Sequence, residues 1–295
     1  MMTPTLFSVS YAGLWGQHRL DLLPFLQKAA RLGYRAVELM GKRPHLSVLD
    51  MTDERVQEIR RAASEAGVEI ATIAAYTNFT LGRATEIPAV EIQVAYVRSL
   101  AQLARTLGAK VIRVFTGYTT EPEGVGQDWD LCVRAVRQCA EVTADQGIIL
   151  GVQNHHDVGV GADAYVELLD EVGHPNCRAM FDPWAPALHG EDLRAWARRL
   201  APRMVQTTLA DYIRLPRYAY LPGLVNYRRL DDMIRAVPLG EGFVDLDGFF
   251  AGLREGGFQG YVAYEMCSPL RGGGSEKNLD RAAGIALEKI RHWTA

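Results

Sequence analysis

The stretch AQLARTLGAKVIRVF, residues 101–115, decides the fold. It begins inside a segment, 88–107, whose apolar residues recur at the i, i+3, i+4, i+7 spacing of an amphipathic helix, and it ends in a short apolar run at 110–115. Leu107, Gly108 and Ala109 lie between the two, where glycine supplies the left-handed backbone that ends a helix. This order of helix, glycine stop and buried strand predicts one unit of an α/β protein.

The same alternation extends from one end of the chain to the other. Further glycine stops occur at 33–34, 65–67 and 256–258. The predicted strands are 5–9, 35–39, 69–74, 110–115, 148–153, 177–181, 203–209 and 261–265. The predicted helices are 20–32, 54–66, 88–107, 128–146, 163–172, 190–200, 246–255 and 275–293. Eight such units close a parallel barrel, so the sequence predicts a single (β/α)8 TIM barrel.

Length and composition agree with one barrel. The 295 residues are 48% apolar, which is enough for a large core, and barrels of this length are commonly one unit. No low-complexity linker interrupts the sequence, so we expect one domain over residues 1–295. The net charge of −3, without a run of five like charges, gives no basic surface for nucleic acid or anionic lipid.

The sequence also indicates a cytoplasmic protein. No apolar stretch approaches the roughly 18 residues that span a bilayer, and the start, MMTPTLFSVSYAGLW, lacks a basic region followed by an apolar core. The cysteines form no C-x-x-C pair, so we interpret them as thiols in a reducing compartment. They are Cys132, Cys139, Cys177 and Cys267.

One segment, roughly 212–243, departs from the alternation and is interpreted as irregular. It contains Pro216, Pro222, Pro238, Tyr212, Tyr218, Tyr220, Tyr227 and Phe243. A loop of this length in a compact domain is typical of a lid, a binding loop or a partner surface. Because it follows the seventh strand, we expect it over the catalytic face or at a subunit contact.

Polar residues collect at the carboxyl ends of the predicted strands, where the active sites of this fold lie. They are Glu38, Gln153, Asn154, His155, His156, Asp182, Gln206, Thr208, Asp211 and Glu265. Carboxylates and imidazoles bind hard or borderline divalent ions, so a metal site is one interpretation. Aromatic residues near the strand ends either wall a sugar pocket or belong to the core. These are Trp15, Tyr76, Phe115 and Trp184.

Several motifs together resemble the sugar phosphate isomerase/epimerase family, the xylose isomerase-like barrels that include ketose 3-epimerases. They are GYRAVEL (33–39), GVQNHHD (151–157), FDPW (181–184), VQTTLAD (205–211), PLGEGFVDLDGFFAGLREGGFQGYVAYE (238–265) and SPLRGGGSEKNLDRA (268–282). The resemblance covers nearly the whole chain and is strongest from 148 to 282. It implies an enzyme that abstracts a proton next to a sugar carbonyl, assisted by Mn²⁺, Mg²⁺ or Zn²⁺.

Family members hold the metal through Glu, Asp, His and Glu at strand ends five to eight, and the two glutamates also shuttle protons. Asp182 and Glu265 match the second and fourth ligands. Gln153 stands in the place of the first glutamate. Thr208 stands in the place of the histidine, with Gln206 on the same face of the strand. The resemblance therefore implies a weakened metal site of Asp182, Glu265, Gln153 and Gln206.

His155 and His156 are candidates to compensate as ligands or as catalytic groups beside Glu265. Adjacent strand residues face opposite ways, so at most one should enter the mouth while the strand continues. The candidate substrate contacts are Arg214, at the spacing of a family arginine, Thr208, Glu38, Trp15 and Trp184. Glu38 alternatively packs at the barrel mouth or pairs with Lys42 or Arg43.

The predicted function is a sugar isomerase or epimerase. Because Gln153 cannot titrate, a two-base epimerisation is in doubt, and lyase or deglycosidase-like elimination on an oxidised sugar is an alternative. A non-catalytic barrel subunit with a decayed metal site is a second alternative. The expected partner is a small-molecule sugar substrate, and we expect no binding to nucleic acid or to a membrane. The sequence leaves open whether the protein forms a homo-oligomer.

Overall fold

The computed structural model describes residues 1–81, 86, 88–119 and 121–294. One parallel sheet contains β1 (Thr3–Phe7), β2 (Ala36–Met40), β3 (Glu69–Ala74), β4 (Val111–Val114), β5 (Ile149–Gln153), β6 (Cys177–Met180), β7 (Gln206–Leu209) and β10 (Tyr261–Tyr264). Their order is β6-β5-β4-β3-β2-β1-β10-β7. The edge strands β6 and β7 meet where Val205 N donates to Ala179 O at 3.0 Å. The protein is therefore a nearly closed (β/α)8 TIM barrel, and the predicted fold is confirmed.

Helices surround the sheet. They are α1 (Leu22–Leu32), α2 (Asp53–Ala66), α3 (Ala89–Leu107), α4 (Val125–Ala144), α5 (Ala162–Val172), α6 (Trp184–Leu188), α7 (Leu193–Leu200), α8 (Leu246–Glu255) and α9 (Glu276–Thr294). Gly33 and Gly108 end α1 and α3 with φ of 92° and 80°, which confirms the glycine stops. None of the described helices has the length and apolar run that crossing a membrane requires.

The segment after β7 is a β-hairpin, and its interpretation as irregular was wrong. Strand β8 (Asp211–Leu221) pairs antiparallel with β9 (Asn226–Val237) along almost its whole length. Pro216 obscured this pattern because proline cannot donate a ladder hydrogen bond. It lies at a register shift between Leu215 and Arg217, a place where a strand accommodates proline.

Asp211 fixes the base of the hairpin. Its buried carboxylate accepts hydrogen bonds from the backbone N–H groups of Tyr212, Gly240, Gly242 and Val244, at 2.8–3.3 Å. A Cβ on residue 242 would lie 2.0 Å from Asp211 Oδ1, so the close approach requires glycine. Asp211, one of the strand-end polar residues in the sequence, thus joins the hairpin to the chain that leads into α8.

We expect Asp211→Ala to lower the free energy of unfolding by about 3 kcal/mol, because several buried N–H groups lose their acceptor together. Urea unfolding measures the change. The matched control is Asp232→Ala on the same hairpin, where an ion pair with Arg229 at 3.1 Å contributes less than about 1 kcal/mol. Equal losses for the two variants would contradict this role of Asp211.

Candidate active site

A cavity of about 460 Å³ opens at the carboxyl ends of the barrel strands. Its walls are mainly aromatic and imidazole rings, from Phe7, Trp15, Tyr76, Phe115, Tyr118, His155, His156, Trp184 and Tyr212. Charged and polar groups from Lys42, Arg113, Glu265, Cys267 and Ser268 interrupt them. The volume suits a small ligand, and the aromatic faces suit the C–H faces of a sugar ring. We call this space the mouth cavity.

Arg113 on β4 is a buried charge, 1% exposed, at the edge of the mouth cavity. Its Nη1 donates to Gln153 Oε1 at 2.9 Å and its Nη2 to Ala75 O at 3.3 Å. The guanidinium carbon lies 4.0 Å from the ring centroid of Phe115 and 5.0 Å from that of Tyr76. These cation–π contacts stabilise a guanidinium without neutralising it.

Polar side chains on both sides of Arg113 form a layer across the barrel interior. On one side, Gln153 Nε2 donates to Asp182 Oδ2 at 2.9 Å. On the other side, Arg113 Nε lies 3.9 Å from Glu38 Oε1. Glu38 Oε2 accepts from Gln206 Nε2 at 2.6 Å, and Gln206 Oε1 accepts from Thr72 at 2.6 Å. We call these six residues the polar layer.

The three acids near Arg113 are all held in low-dielectric surroundings. Burial raises the pKa of Glu38 to about 7, although Arg113 and Gln206 act in the opposite direction. Burial also raises the pKa of Asp182 and, further, that of Glu265, to which the neighbouring Asp182 charge contributes. Each of these carboxyl groups therefore takes up a proton more readily than an exposed one.

Glu265 follows β10 and presents its carboxyl group to the mouth cavity. Cys267 Sγ donates to Glu265 Oε1 at 3.2 Å, and Tyr212 OH lies 3.4 Å from the same sulfur. Burial raises the pKa of the Cys267 thiol, so this group stays a neutral donor. The arrangement positions a buried carboxyl group of high proton affinity at the wall of an aromatic cavity, as a general base requires.

Both His155 and His156 line the mouth cavity, whereas the sequence led us to expect at most one. The reason is that β5 ends at Gln153 and His156 takes a φ of 69°, so the strand alternation no longer applies. The two Nδ1 atoms lie 2.9 Å apart. Burial lowers the pKa of His155 to about 3 and that of His156 to about 4, so both imidazoles are neutral near pH 7.

The predicted site residues fall into three groups. Trp15, Trp184, His155, His156 and Glu265 line the mouth cavity, together with Tyr76 and Phe115. Glu38, Gln153, Asp182, Gln206 and Thr208 are buried and do not line it. Arg214 lies apart from both groups: it donates to Leu188 O at 3.0 Å and stacks over Phe243.

Sequence reasoning did not consider Arg113, and it considered Cys267, Tyr212 and Lys42 only in other roles. Arg113 has a local signal, because it is a single charge inside the apolar strand VIRVF, where a charge needs a partner. Cys267 lies two residues beyond Glu265, and Tyr212 is the residue after Asp211. Lys42 lies 3.7 Å from the Tyr76 ring centroid and pairs with neither Glu38 nor another acid in the described ion pairs.

The donor set does not fit the divalent ion that the family resemblance implies. The Gln153 oxygen accepts a hydrogen bond from Arg113, and its NH₂ group donates to Asp182. Gln153 therefore directs N–H donors to the place where a metal ion would need an oxygen ligand. Gln206 has its oxygen engaged by Thr72. Within the described residues, no group of three or more His, Cys, Asp or Glu side chains is arranged to hold a metal. A guanidinium charge lies beside these groups instead.

Residues 26–292 match the sequence model of the xylose isomerase-like TIM barrel family. Because the match covers most of the chain, the protein belongs to this family, as the motifs indicated. No curated protein is significantly similar to the sequence.

Solved structures of the same fold cover nearly the whole chain. D-psicose 3-epimerase of Clostridium cellulolyticum H10, determined with D-tagatose, is 16% identical over 98% of each chain, with a TM-score of 0.74. The probable 3-DHS dehydratase AsbF of Bacillus anthracis is 18% identical over 97% of each chain, with a TM-score of 0.71. A xylose isomerase domain protein of Alicyclobacillus acidocaldarius is 20% identical over 99% of this chain and 98% of that one, with a TM-score of 0.70. At these identities, the likeness establishes the fold.

Two buried strand residues should differ in how much stability is lost when their polar groups are removed. Gln206→Leu removes the donor to Glu38 and the acceptor for Thr72, so we expect a loss of about 3 kcal/mol in unfolding free energy. Thr208 Oγ1 has no hydrogen-bond partner among the described residues, so Thr208→Val should change stability by less than about 1 kcal/mol.

Thermal and urea unfolding of both variants provide the measurement. Because Thr208 does not line the mouth cavity, Thr208→Val should also leave sugar binding unchanged. A large loss of stability in Thr208→Val would show that its hydroxyl has a partner.

Proposed function

We propose that the protein is a sugar isomerase or epimerase that removes a proton from the carbon next to a carbonyl group. The observation that supports this most directly is Glu265, a buried carboxyl group of raised proton affinity on the wall of an aromatic cavity. Membership of the family and the likeness to a D-psicose 3-epimerase agree with a sugar or keto sugar as the substrate.

In the proposed reaction, the sugar lies against the aromatic walls, with Trp15 and Trp184 among its contacts. The Glu265 carboxylate takes the proton from the carbon. The electron pair of the broken C–H bond forms a carbon–carbon double bond, and the carbonyl oxygen becomes the anionic oxygen of an enediolate. Return of the proton from Glu265 to the neighbouring carbon, with transfer of the first carbon's hydroxyl proton to the anionic oxygen, completes an isomerisation. An epimerisation requires in addition a proton donor on the opposite face of the first carbon.

The second group in this proposal is His155 or His156. As neutral imidazoles they hydrogen-bond to substrate hydroxyls and do not supply a cationic acid. Contacts of Arg214, Thr208 and Glu38 with substrate, which the sequence suggested, are left out because these side chains do not line the mouth cavity.

Elimination from an oxidised sugar is a second candidate. Among the residues that the structure describes, Glu265 is the one carboxylate on the cavity wall, and Gln153 stands where the family pattern has the other base. A single base suffices for loss of a leaving group from the carbon beyond the enediolate. Formation of an unsaturated ketone, measured by ultraviolet absorbance, would distinguish this reaction from isomerisation.

We also propose a cytoplasmic location and a small-molecule sugar as the partner. The four cysteines are free thiols, as is usual in a reducing compartment.

Glu265→Gln should lower proton exchange by roughly 10²–10⁴-fold, because the amide cannot accept the proton. The assay is incorporation of solvent deuterium next to the carbonyl, followed by NMR across a panel of keto sugars and their glycosides. Cys177→Ala, a thiol substitution at the start of β6, is the control and should retain the wild-type rate. If no sugar in the panel exchanges deuterium with the wild-type protein, the non-catalytic barrel becomes the better interpretation.

A further inference from the structure

The Arg113 guanidinium is not fully paired within the protein. A guanidinium offers five N–H donors. Nη1 and Nη2 each donate to a neutral oxygen, and Nε has no hydrogen-bond partner in the described part of the chain. The nearest carboxylate contact, to Glu38 Oε1, is 3.9 Å and therefore too long for a hydrogen bond.

A buried cation with unused donors is costly unless a ligand completes its contacts. Arg113 lines the mouth cavity, as Glu265 does, so a ligand in this cavity meets the cation and the carboxyl group together. Tyr76 also lines the cavity, with its ring centroid 5.0 Å from the guanidinium carbon. The unused donors favour a ligand with acceptor oxygens, preferably carrying negative charge.

The same guanidinium also accounts for the misfit of the metal donor set. Rotating the Gln153 amide to offer its oxygen beside Asp182 would turn its NH₂ group towards Arg113, donor against donor. A divalent ion placed there would in addition meet the positive charge of Arg113. The position of Arg113 therefore selects against the ion and supplies a positive charge in its place.

We propose that Arg113, and not a divalent ion, is the group that polarises the substrate carbonyl and stabilises the enediolate. This inference rests on the proposed function. As Glu265 removes the proton, the C–H electron pair forms the carbon–carbon double bond and the carbonyl π electrons move to oxygen. The oxygen then accepts N–H hydrogen bonds from Arg113, which keeps all of its protons. The substrate class is an α-hydroxy ketone or aldehyde whose adjacent oxygens face the planar guanidinium.

The first test is deuterium exchange after dialysis of the full-length protein against EDTA. We expect wild-type exchange to persist within about twofold, since no ion takes part, and Arg113→Met to lose roughly 10²–10³-fold. Arg113→Lys keeps the charge but loses the planar fork, so an intermediate rate is expected. Arg178→Met, on β6 near its amino end, is the matched control and should behave as wild type.

The second test does not depend on turnover. Oxalate is a planar dianion whose adjacent oxygens imitate an enediolate, and its binding in the presence of EDTA is measured by calorimetry. We expect Arg113→Met to weaken oxalate binding at least about tenfold. Circular dichroism and thermal unfolding confirm that the variants are folded, and Arg113→Lys replaces Arg113→Met if the latter does not fold.

A third measurement titrates Mn²⁺ by electron paramagnetic resonance. We expect no stoichiometric binding to the wild type, and a gain of binding when Arg113→Met is combined with Gln153→Glu. The proposal is overturned if exchange vanishes in EDTA and returns with Mn²⁺ bound one per chain, an outcome that leaves the proposed function intact. It is also overturned if oxalate binds the wild type and Arg113→Met equally. Absence of exchange together with Arg113-dependent oxalate binding would refute the proposed function and leave the anion site standing.

Discussion

One hydrogen bond, from the Arg113 guanidinium to the Gln153 oxygen, joins the cation of the polar layer to the side of the layer that contains Asp182. This bond fixes the orientation of the Gln153 amide, and the amide in turn supplies a donor to Asp182. The members of the polar layer lie on, or directly after, separate barrel strands, so the layer assembles only when those strands have come together. In a low dielectric, such a hydrogen-bonded network favours one arrangement of its side chains over others.

Two neutral amides, Gln153 and Gln206, occupy positions where the family has metal ligands or their neighbours. The hydrogen bonds of each amide explain why an amide suits its position. A carboxylate at residue 153 would add a fourth acid to Glu38, Asp182 and Glu265, whereas the described part of the cavity wall contains two cations, Arg113 and Lys42. The amide instead bridges a cation and an anion. At residue 206, the amide donates to Glu38 while it accepts from Thr72. Both neutral amides, at residues 153 and 206, thus donate one hydrogen bond and accept another.

Much of the barrel was predictable because strand, glycine and helix are local signals. The aromatic cavity wall was also predictable, since Trp15, Tyr76, Phe115 and Trp184 stand close to strand ends. Arg113 was missed because it lies within the apolar strand β4, where a side chain is expected to belong to the core. Its partners are distant in sequence, and no local pattern encodes such contacts.

The hairpin and the two histidines also differ from the sequence prediction, because their geometry depends on more than the neighbouring residues in the chain. The hairpin was hidden by a proline, whose position at a register shift depends on pairing between two strands. The placement of the two histidines depends on where β5 ends, and strand ends are the least certain part of a sequence interpretation. In both cases the residues were identified and their geometry was not.

The division between the mouth cavity and the polar layer has a consequence for evolutionary change. Most wall residues, such as Trp15, Tyr118 and Trp184, lie on segments between strands, whereas the polar layer lies on or directly beside the strands themselves. Loop segments tolerate replacement far better than buried strands do. Substitutions in the wall of the mouth cavity can therefore change which sugar binds. The polar layer beneath it, with its arrangement of charges, can stay the same during such changes.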